Sequence, residues 1–295
     1  MLNDYPLKKL NTWGVGGSCS KFLVPESSAE AALYISRAFE SGEKVYVLGG
    51  GSNVLISDRK LDGLLIHTAG LCVFNINRES SSGATEIEIG GGVDVRKLLA
   101  FAIKNRLGGL EFLTGIPGTV GGALWGNAGA SGESFAPYVK FAETIEKDGS
   151  LKLMRGDELS WLYRTSPWKD TESLLMTKCI IVLKDSDYGD ILSRISHFSH
   201  LKKGQPLGKK TAGCVFKNPS ETSAGKLLEQ SGCKELRVGD AVVSRHHANF
   251  IENTGSAKAD DIYKLCELCR KRVLAHYSIE LEYEVRMFGD FEEKD

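Results

Sequence analysis

The stretch GGLEFLTGIPGTVGGALWGNAGASG, Gly108 to Gly132, decides how the rest of the chain is read. Glycine recurs throughout it, yet the other residues are mostly apolar, unlike a flexible Gly/Ser linker. It reads as ordered backbone that must approach something closely. Pro117 fixes its own φ, and the flanking glycines permit backbone contact with a flat or anionic ligand. A second glycine turn, GGGSN at Gly49 to Asn53, follows KVYVL (Lys44 to Leu48), an apolar run that reads as a buried strand. Its amides can form a nest for a phosphate, with Ser52 or Asn53 adding side-chain hydrogen bonds. Neither turn matches G-x-G-x-x-G, and no G-x-x-x-x-G-K-[ST] occurs, so Rossmann and P-loop phosphate sites are not supported. Two such turns, the second mostly uncharged, suit a long cofactor whose pyrophosphate is held by backbone amides. The competing readings are a plain tight turn at 49–53 and a packed glycine-rich crossing at 115–132.

Outward from these turns, the first third alternates short strand and helix signals. A helix is expected over Ser28 to Glu40, and strands at Leu64 to His67 and Thr85 to Ile89, the latter after a polar break at Ser80 to Gly83. Asp94 to Asn105 has helical spacing with Asp94 as N-cap. Strands resume from Val139 to Leu183, and DSDYGD (185–190) has the polarity of a domain boundary. Helices follow at Ile191 to Lys202, Ala224 to Ser231 and Ala259 to His276. Ile279 to Phe288 alternates as a strand, with Leu281, Tyr283 and Val285 on one face and Glu280, Glu282 and Glu284 on the other.

Composition narrows the function. Lys and Arg total 37 against 38 Asp and Glu, a net charge of -1, so no basic surplus points to nucleic acid or a membrane surface. No signal-peptide pattern opens the chain and no span of about 20 apolar residues occurs, so a cytoplasmic protein is expected. The seven cysteines are scattered and odd in number, which favours reduced thiols. Cys266 and Cys269 form a C-x-x-C inside a helical pattern without a partner pair, and His246–His247 lacks a nearby carboxylate motif, so no metal site is expected.

The segments NTWGVGG (11–17), LGGGSN (48–53), GLEFLTGIPGTVGGALWGNAGASG (109–132), YRTSPWK (163–169), AGCVFKNP (212–219), VSRHHANFIEN (243–253) and LEYEVRMFG (281–289) occur in this order. Together they resemble the UDP-N-acetylenolpyruvoylglucosamine reductase (MurB) family, over nearly the whole chain. The resemblance implies an α+β protein: an FAD-binding fold of the vanillyl-alcohol-oxidase (PCMH) type in two subdomains, 1–70 with the returning 281–295 and 71–190, plus an α+β substrate-binding domain at 191–280. Between Pro219 and Lys226 the chain is short, which is similar to the type II branch; the extra segment of type I members, whose tyrosine closes over the substrate, should be missing.

The same resemblance implies bound FAD, NADPH as hydride donor, a nucleotide-sugar substrate and a monomer. FAD contacts are implied at Gly49, Gly50, Gly51, Ser52 and Asn53, and at Thr114, Gly115, Ile116, Pro117, Gly118, Val120, Gly122, Ala123, Asn127, Gly129 and Ala130. Arg164 matches the substrate arginine, a planar fork suited to a carboxylate. Glu284 matches the catalytic glutamate, and Cys214 stands where the family usually has serine. A thiol is mostly protonated at neutral pH and is a stronger acid than a hydroxyl, so it can donate the proton while adding sensitivity to oxidation. Asn218, Lys234 and His247 match further substrate contacts, the last two at the diphosphate; Lys217 reads equally as a phosphate contact or a surface residue.

Overall fold

The computed structural model describes residues 1–79, 84–168 and 171–291; the break expected at Ser80 to Gly83 and Lys169 of YRTSPWK lie outside them. The chain divides into two compact units. Unit 1 comprises Met1, Phe22–Gly50 and Gly63–Lys203; unit 2 comprises Leu2–Lys21, Gly51–Asp62 and Gly204–Asp295. Among the described residues the helices are α1 (Ser28–Glu40), α2 (Val95–Lys104), α3 (Val120–Trp125), α4 (Tyr188–Leu201), α5 (Ala224–Gln230) and α6 (Ala259–Tyr277). Most begin on a side chain that accepts an otherwise orphaned N–H: Ser27 for α1, Asp94 for α2, Thr119 for α3, Asp187 for α4 and Ser223 for α5.

Unit 1 is organised around Ser173–Asp185, a strand whose alternate residues are buried. It pairs antiparallel with Val139–Glu146 on one side and Ala84–Gly90 on the other. Thr85, Ile87 and Ile89 face the core and Glu86 and Glu88 do not, as the period-2 pattern requires. Leu98 and Ala102 of α2, Val120 and Leu124 of α3, and Phe198 of α4 pack with this sheet in one apolar cluster. A second cluster joins Ala31, Ile35 and Ala38 of α1 to Leu64 and Ile66, whose strand runs parallel to Val45–Leu48.

Unit 2 holds a separate core in which Ile262, Leu265, Cys266, Cys269 and Val273 of α6 pack with Leu227 and Leu228 of α5 and with Trp13 and Val15. Three short strands, Arg237–Val238, Ala241–Val243 and Ile251–Asn253, form an antiparallel sheet. The Trp13 indole donates to Ile251 O at 2.7 Å and Asn253 Nδ2 returns a bond to Trp13 O at 2.9 Å, tying NTWGVGG to this sheet.

Three expectations change. DSDYGD does not link units: Asp187 accepts from the N–H groups of Gly189 and Asp190 and starts α4, which belongs to unit 1, and the boundary falls after Lys203. The strand expected over Ile279 to Phe288 is regular only at Arg286–Phe288, which runs parallel to Val54–Ile56. Before it, Arg270 Nε takes the carbonyl of Leu281 and Lys217 N takes that of Glu282, so the backbone is satisfied outside any ladder. The strand at Leu64 begins three residues earlier, at Leu61, because Gly63 at φ +124 carries the chain through a break in the alternation.

Candidate active site

In unit 1 the two glycine turns meet. A Cβ placed on Gly49 would sit 2.6 Å from Thr119 Oγ1, and one on Gly50 would sit 2.8 Å from Gly118 Cα. The segment around Gly118 is sewn to Gly91–Val95: Val120 N donates to Val93 O at 2.8 Å, Gly121 N to Gly91 O at 2.9 Å and Val95 N to Gly118 O at 3.0 Å. Gly122 differs from these neighbours, since its Cβ would meet only Thr119 Oγ1, at 3.5 Å. Two polar atoms of the segment, Thr114 Oγ1 and Asn127 Oδ1, are buried with no hydrogen-bond partner among the described residues. A buried polar atom without a partner is costly, so both point to a polar ligand. The open Cβ position at Gly122 and the orphaned Thr114 and Asn127 atoms, on a segment that abuts Gly49 and Gly50, fit a dinucleotide.

Arg164 lies in the same unit. It occupies the left-handed region at φ 50, in a tight turn closed by the Leu162–Thr165 bridge. A non-glycine residue there costs about 1–2 kcal/mol, so local propensity does not explain the arginine. Its guanidinium donates to Gly129 O at 2.7 Å and Asn127 O at 3.4 Å, while Asn127 Nδ2 donates to Leu162 O at 2.9 Å. Lys202, just past α4, donates from Nζ to Thr114 O. Burial, and then the Arg164 cation, push the Lys202 ammonium down to about 8. A lysine ammonium lowered by burial beside an arginine cation marks a place prepared for an anion. Lys202 was not singled out in the sequence, where it stands only as the end of the expected helix Ile191 to Lys202.

In unit 2 the backbone sets Glu284 against Val215, the residue after Cys214. Glu284 N donates to Val215 O at 2.8 Å, Val285 N shares that carbonyl at 3.3 Å, and Phe216 bridges antiparallel to Tyr283. From the other side Asn249, 2% exposed, grips the same strand: its Oδ1 accepts from Phe216 N at 2.9 Å and its Nδ2 donates to Phe216 O at 2.8 Å. Its own carbonyl accepts from Val215 N at 2.9 Å. Asn249 was missed among the site residues; a buried asparagine inside VSRHHANFIEN was the available signal. Asn53, the last residue of the GGGSN turn, donates from Nδ2 to Glu284 O at 3.1 Å and accepts from Arg286 N, also at 3.1 Å. Gly51, however, is required by the fold: at φ +64 its Cβ would lie 1.9 Å from Leu10 O.

The remaining residues fall into two groups. Lys234 pairs with the exposed Glu229 at 2.6 Å, and the nearby His247 ring lies edge-on to Phe250 at 4.8 Å. Burial first, and then the Lys234 cation, hold the His247 imidazole below its usual pKa, so these two stand in one electrostatic neighbourhood. Asn218 turns its Oδ1 to the N–H of Ala224, where α5 begins. Lys217 ion-pairs with the exposed Glu282 at 3.3 Å. Cys233, Cys266 and Cys269 are buried free thiols, and among the described residues no cluster could hold a metal.

The unit 1 cradle is that of a flavin-binding protein: residues 20–154 match the FAD binding domain family. Residues 205–288 match the family of UDP-N-acetylenolpyruvoylglucosamine reductase C-terminal domains. The reductase of Heliobacterium modesticaldum is 37% identical over 98% of this chain and 91% of its own length. That of Caldicellulosiruptor bescii is 36% identical over 99% of this chain and 91% of its own. The crystal structure of the enzyme from Thermus caldophilus superposes with a TM-score of 0.81 at 33% identity, covering 96% of this chain and 97% of that one. The chain belongs to the UDP-N-acetylenolpyruvoylglucosamine reductase family, with its α+β FAD-binding fold.

Proposed function

We propose that this protein reduces the enolpyruvyl ether of UDP-N-acetylglucosamine to the lactyl ether of UDP-N-acetylmuramate, a step in peptidoglycan synthesis. FAD, held by the glycine turns, would supply the hydride, drawn from NADPH, for the terminal vinyl carbon. The chain's own residues meet the remaining requirements. Negative charge develops on the adjacent carbon and spreads into the carboxylate, and a preorganised cation there stabilises the transition state. Arg164 supplies that cation, and the depressed Lys202 ammonium beside it supports an anion at this point. Cys214 gives its proton to the same carbon, and Glu284 polarises the developing enol. Lys234 and His247 hold the diphosphate, and Asn218 contacts the sugar nucleotide.

The observation that carries this reading is the 2.8 Å bond from Glu284 N to Val215 O, which sets the glutamate beside the residue following Cys214. The glycine turns, Thr114 and Asn127 hold FAD. No helix among the described residues is long and apolar enough to cross a membrane. The protein acts as a cytoplasmic monomer. A visible spectrum of the purified protein, then anaerobic NADPH titration and addition of substrate, tests the reading. Flavin bleaching and substrate-dependent recovery of the colour are expected; a protein that binds no flavin, or reduced flavin that substrate leaves unchanged, would overturn it.

A further inference from the structure

Residues 109–133 carry most of the FAD contacts proposed above, and glycine-rich backbone of this kind loses more freedom on ordering than any other. Left to itself it would have to be ordered by the ligand, at the expense of affinity. The structure supplies an external fastening. Arg194, on α4, donates from Nε to Glu111 Oε2 at 3.1 Å and from Nη2 to Glu133 Oε2 at 2.5 Å. One guanidinium therefore joins the start of the segment to its end. Glu111 is 2% exposed, and both its oxygens accept from Gly109 N, at 3.1 and 3.0 Å. Glu133 stands opposite Ala130 in the short antiparallel pair that closes the segment. Gly109, at φ +115, leaves no room for a side chain against the Tyr138 ring, which stacks on Phe112.

We propose that Arg194 is a positioning residue for FAD: by bridging Glu111 and Glu133 it holds residues 109–133 in the form that receives the cofactor. The bridge uses the planar fork of arginine, which reaches one carboxylate from Nε and the other from Nη2, where lysine offers a single nitrogen. None of the three residues is among the FAD contacts, so their effect reaches the cofactor through the backbone they fasten. The inference rests on the FAD reading, and the test keeps the two apart.

Apoprotein is titrated with FAD, following flavin fluorescence, for wild type, Arg194→Gln, Arg194→Lys, Glu111→Gln and Glu133→Gln, with the thermal midpoint of each apoprotein measured alongside. Arg194→Gln is expected to weaken FAD about tenfold or more, since preorganisation is lost. Arg194→Lys should recover part of that loss. Arg194→Gln and Glu111→Gln should be non-additive in FAD affinity, because they break one linkage. Should Arg194→Gln not fold, Glu133→Gln carries the test from the more exposed arm, with an expected weakening of about threefold. FAD affinity within twofold of wild type in the folded variants, with only the thermal midpoint lowered, would reduce Arg194 to a structural tie and overturn the proposal. Wild-type apoprotein that does not bind FAD would instead overturn the cofactor reading itself.

Discussion

Gly51 and Gly122 occupy the two glycine-rich turns, and a methyl group meets opposite surroundings at each. At Gly51 the added carbon would lie 1.9 Å from Leu10 O in a left-handed backbone; at Gly122 the nearest atom is Thr119 Oγ1, at 3.5 Å. The first glycine is there because another strand of backbone passes, the second in a place the protein itself leaves open. Gly90, Gly91 and Gly92 side with Gly51: their Cβ atoms would meet the carbonyls of Leu71, Met176 and Thr68 at 2.2, 2.4 and 1.9 Å. Glycine richness alone therefore does not mark a ligand site. Space left around the glycine, together with orphaned polar atoms such as Asn127 Oδ1, does.

The largest expected effect breaks the comparison at its rigid end. Gly51→Ala should abolish soluble folded protein, since a backbone collision and a left-handed Cβ leave no rotamer with which to relax. Gly122→Ala should leave the thermal midpoint unchanged or slightly raised, because alanine is the better helix former in α3 by about 1 kcal/mol. Its FAD content should nevertheless fall. A Gly122→Ala protein with wild-type flavin affinity would remove this glycine from the cofactor cradle.

The next effect contrasts a site built of backbone with one built of side chains. Where backbone forms the site, no conservative replacement exists; where a side chain acts, one should. Cys214→Ala is expected to be reduced by NADPH at a near-normal rate but reoxidised by substrate about 100- to 10,000-fold more slowly, the usual span for a lost general acid. Cys214→Ser should recover much of that loss. Equal slowing of the two half-reactions in stopped-flow would make Cys214 a packing residue.

Smaller effects separate the ends of the substrate. Arg164→Lys should lower kcat about tenfold or more, because the second donor of the fork is lost where charge develops. Lys234→Ala should chiefly raise KM, since the diphosphate lies remote from the reacting carbons and binds alike in ground and transition states. Exposed ion pairing with Glu229 costs Lys234 little to exchange for a phosphate. Loss of kcat at unchanged KM in Lys234→Ala would reverse the assignment.

Helices were legible because caps and spacing are local: α1 spans the expected Ser28–Glu40, and Asp94 caps α2 as its position suggested. The N-terminal strands Leu2–Pro6 and Ser18–Leu23 were not foreseen, for their short sequences carry little alternation. The motifs named the residues but not their supports. Asn249, Arg194 and Glu111 act through contacts with residues 33, 61 and 83 positions away in the chain, which no local pattern encodes. The triplet Gly90–Gly92 merely follows the expected strand Thr85 to Ile89 in the sequence, and the carbonyls crowding it explain its composition.

The smallest effect concerns Lys202 and appears only with pH. Burial and the Arg164 cation bring its ammonium from 10.5 to about 8 in the free protein. A carboxylate or phosphate docked beside it offsets the second cause and raises the pKa again, so the complex keeps a proton that the free protein loses. KM for the enolpyruvyl substrate is therefore expected to climb as pH rises from 7 through 9, by no more than about tenfold per pH unit, with kcat at saturation nearly flat. Stability of the ligand-free protein carries the opposite sign. Unfolded lysine titrates near ~10.4 and so binds more protons than folded Lys202 between these values, and stability rises with pH across that window. Lys202→Met should raise KM at pH 7 and flatten both profiles. A wild-type KM that stays level from pH 7 to 9, with the stability rise still present, would leave Lys202 as a tie on the Thr114 carbonyl and take it out of substrate binding.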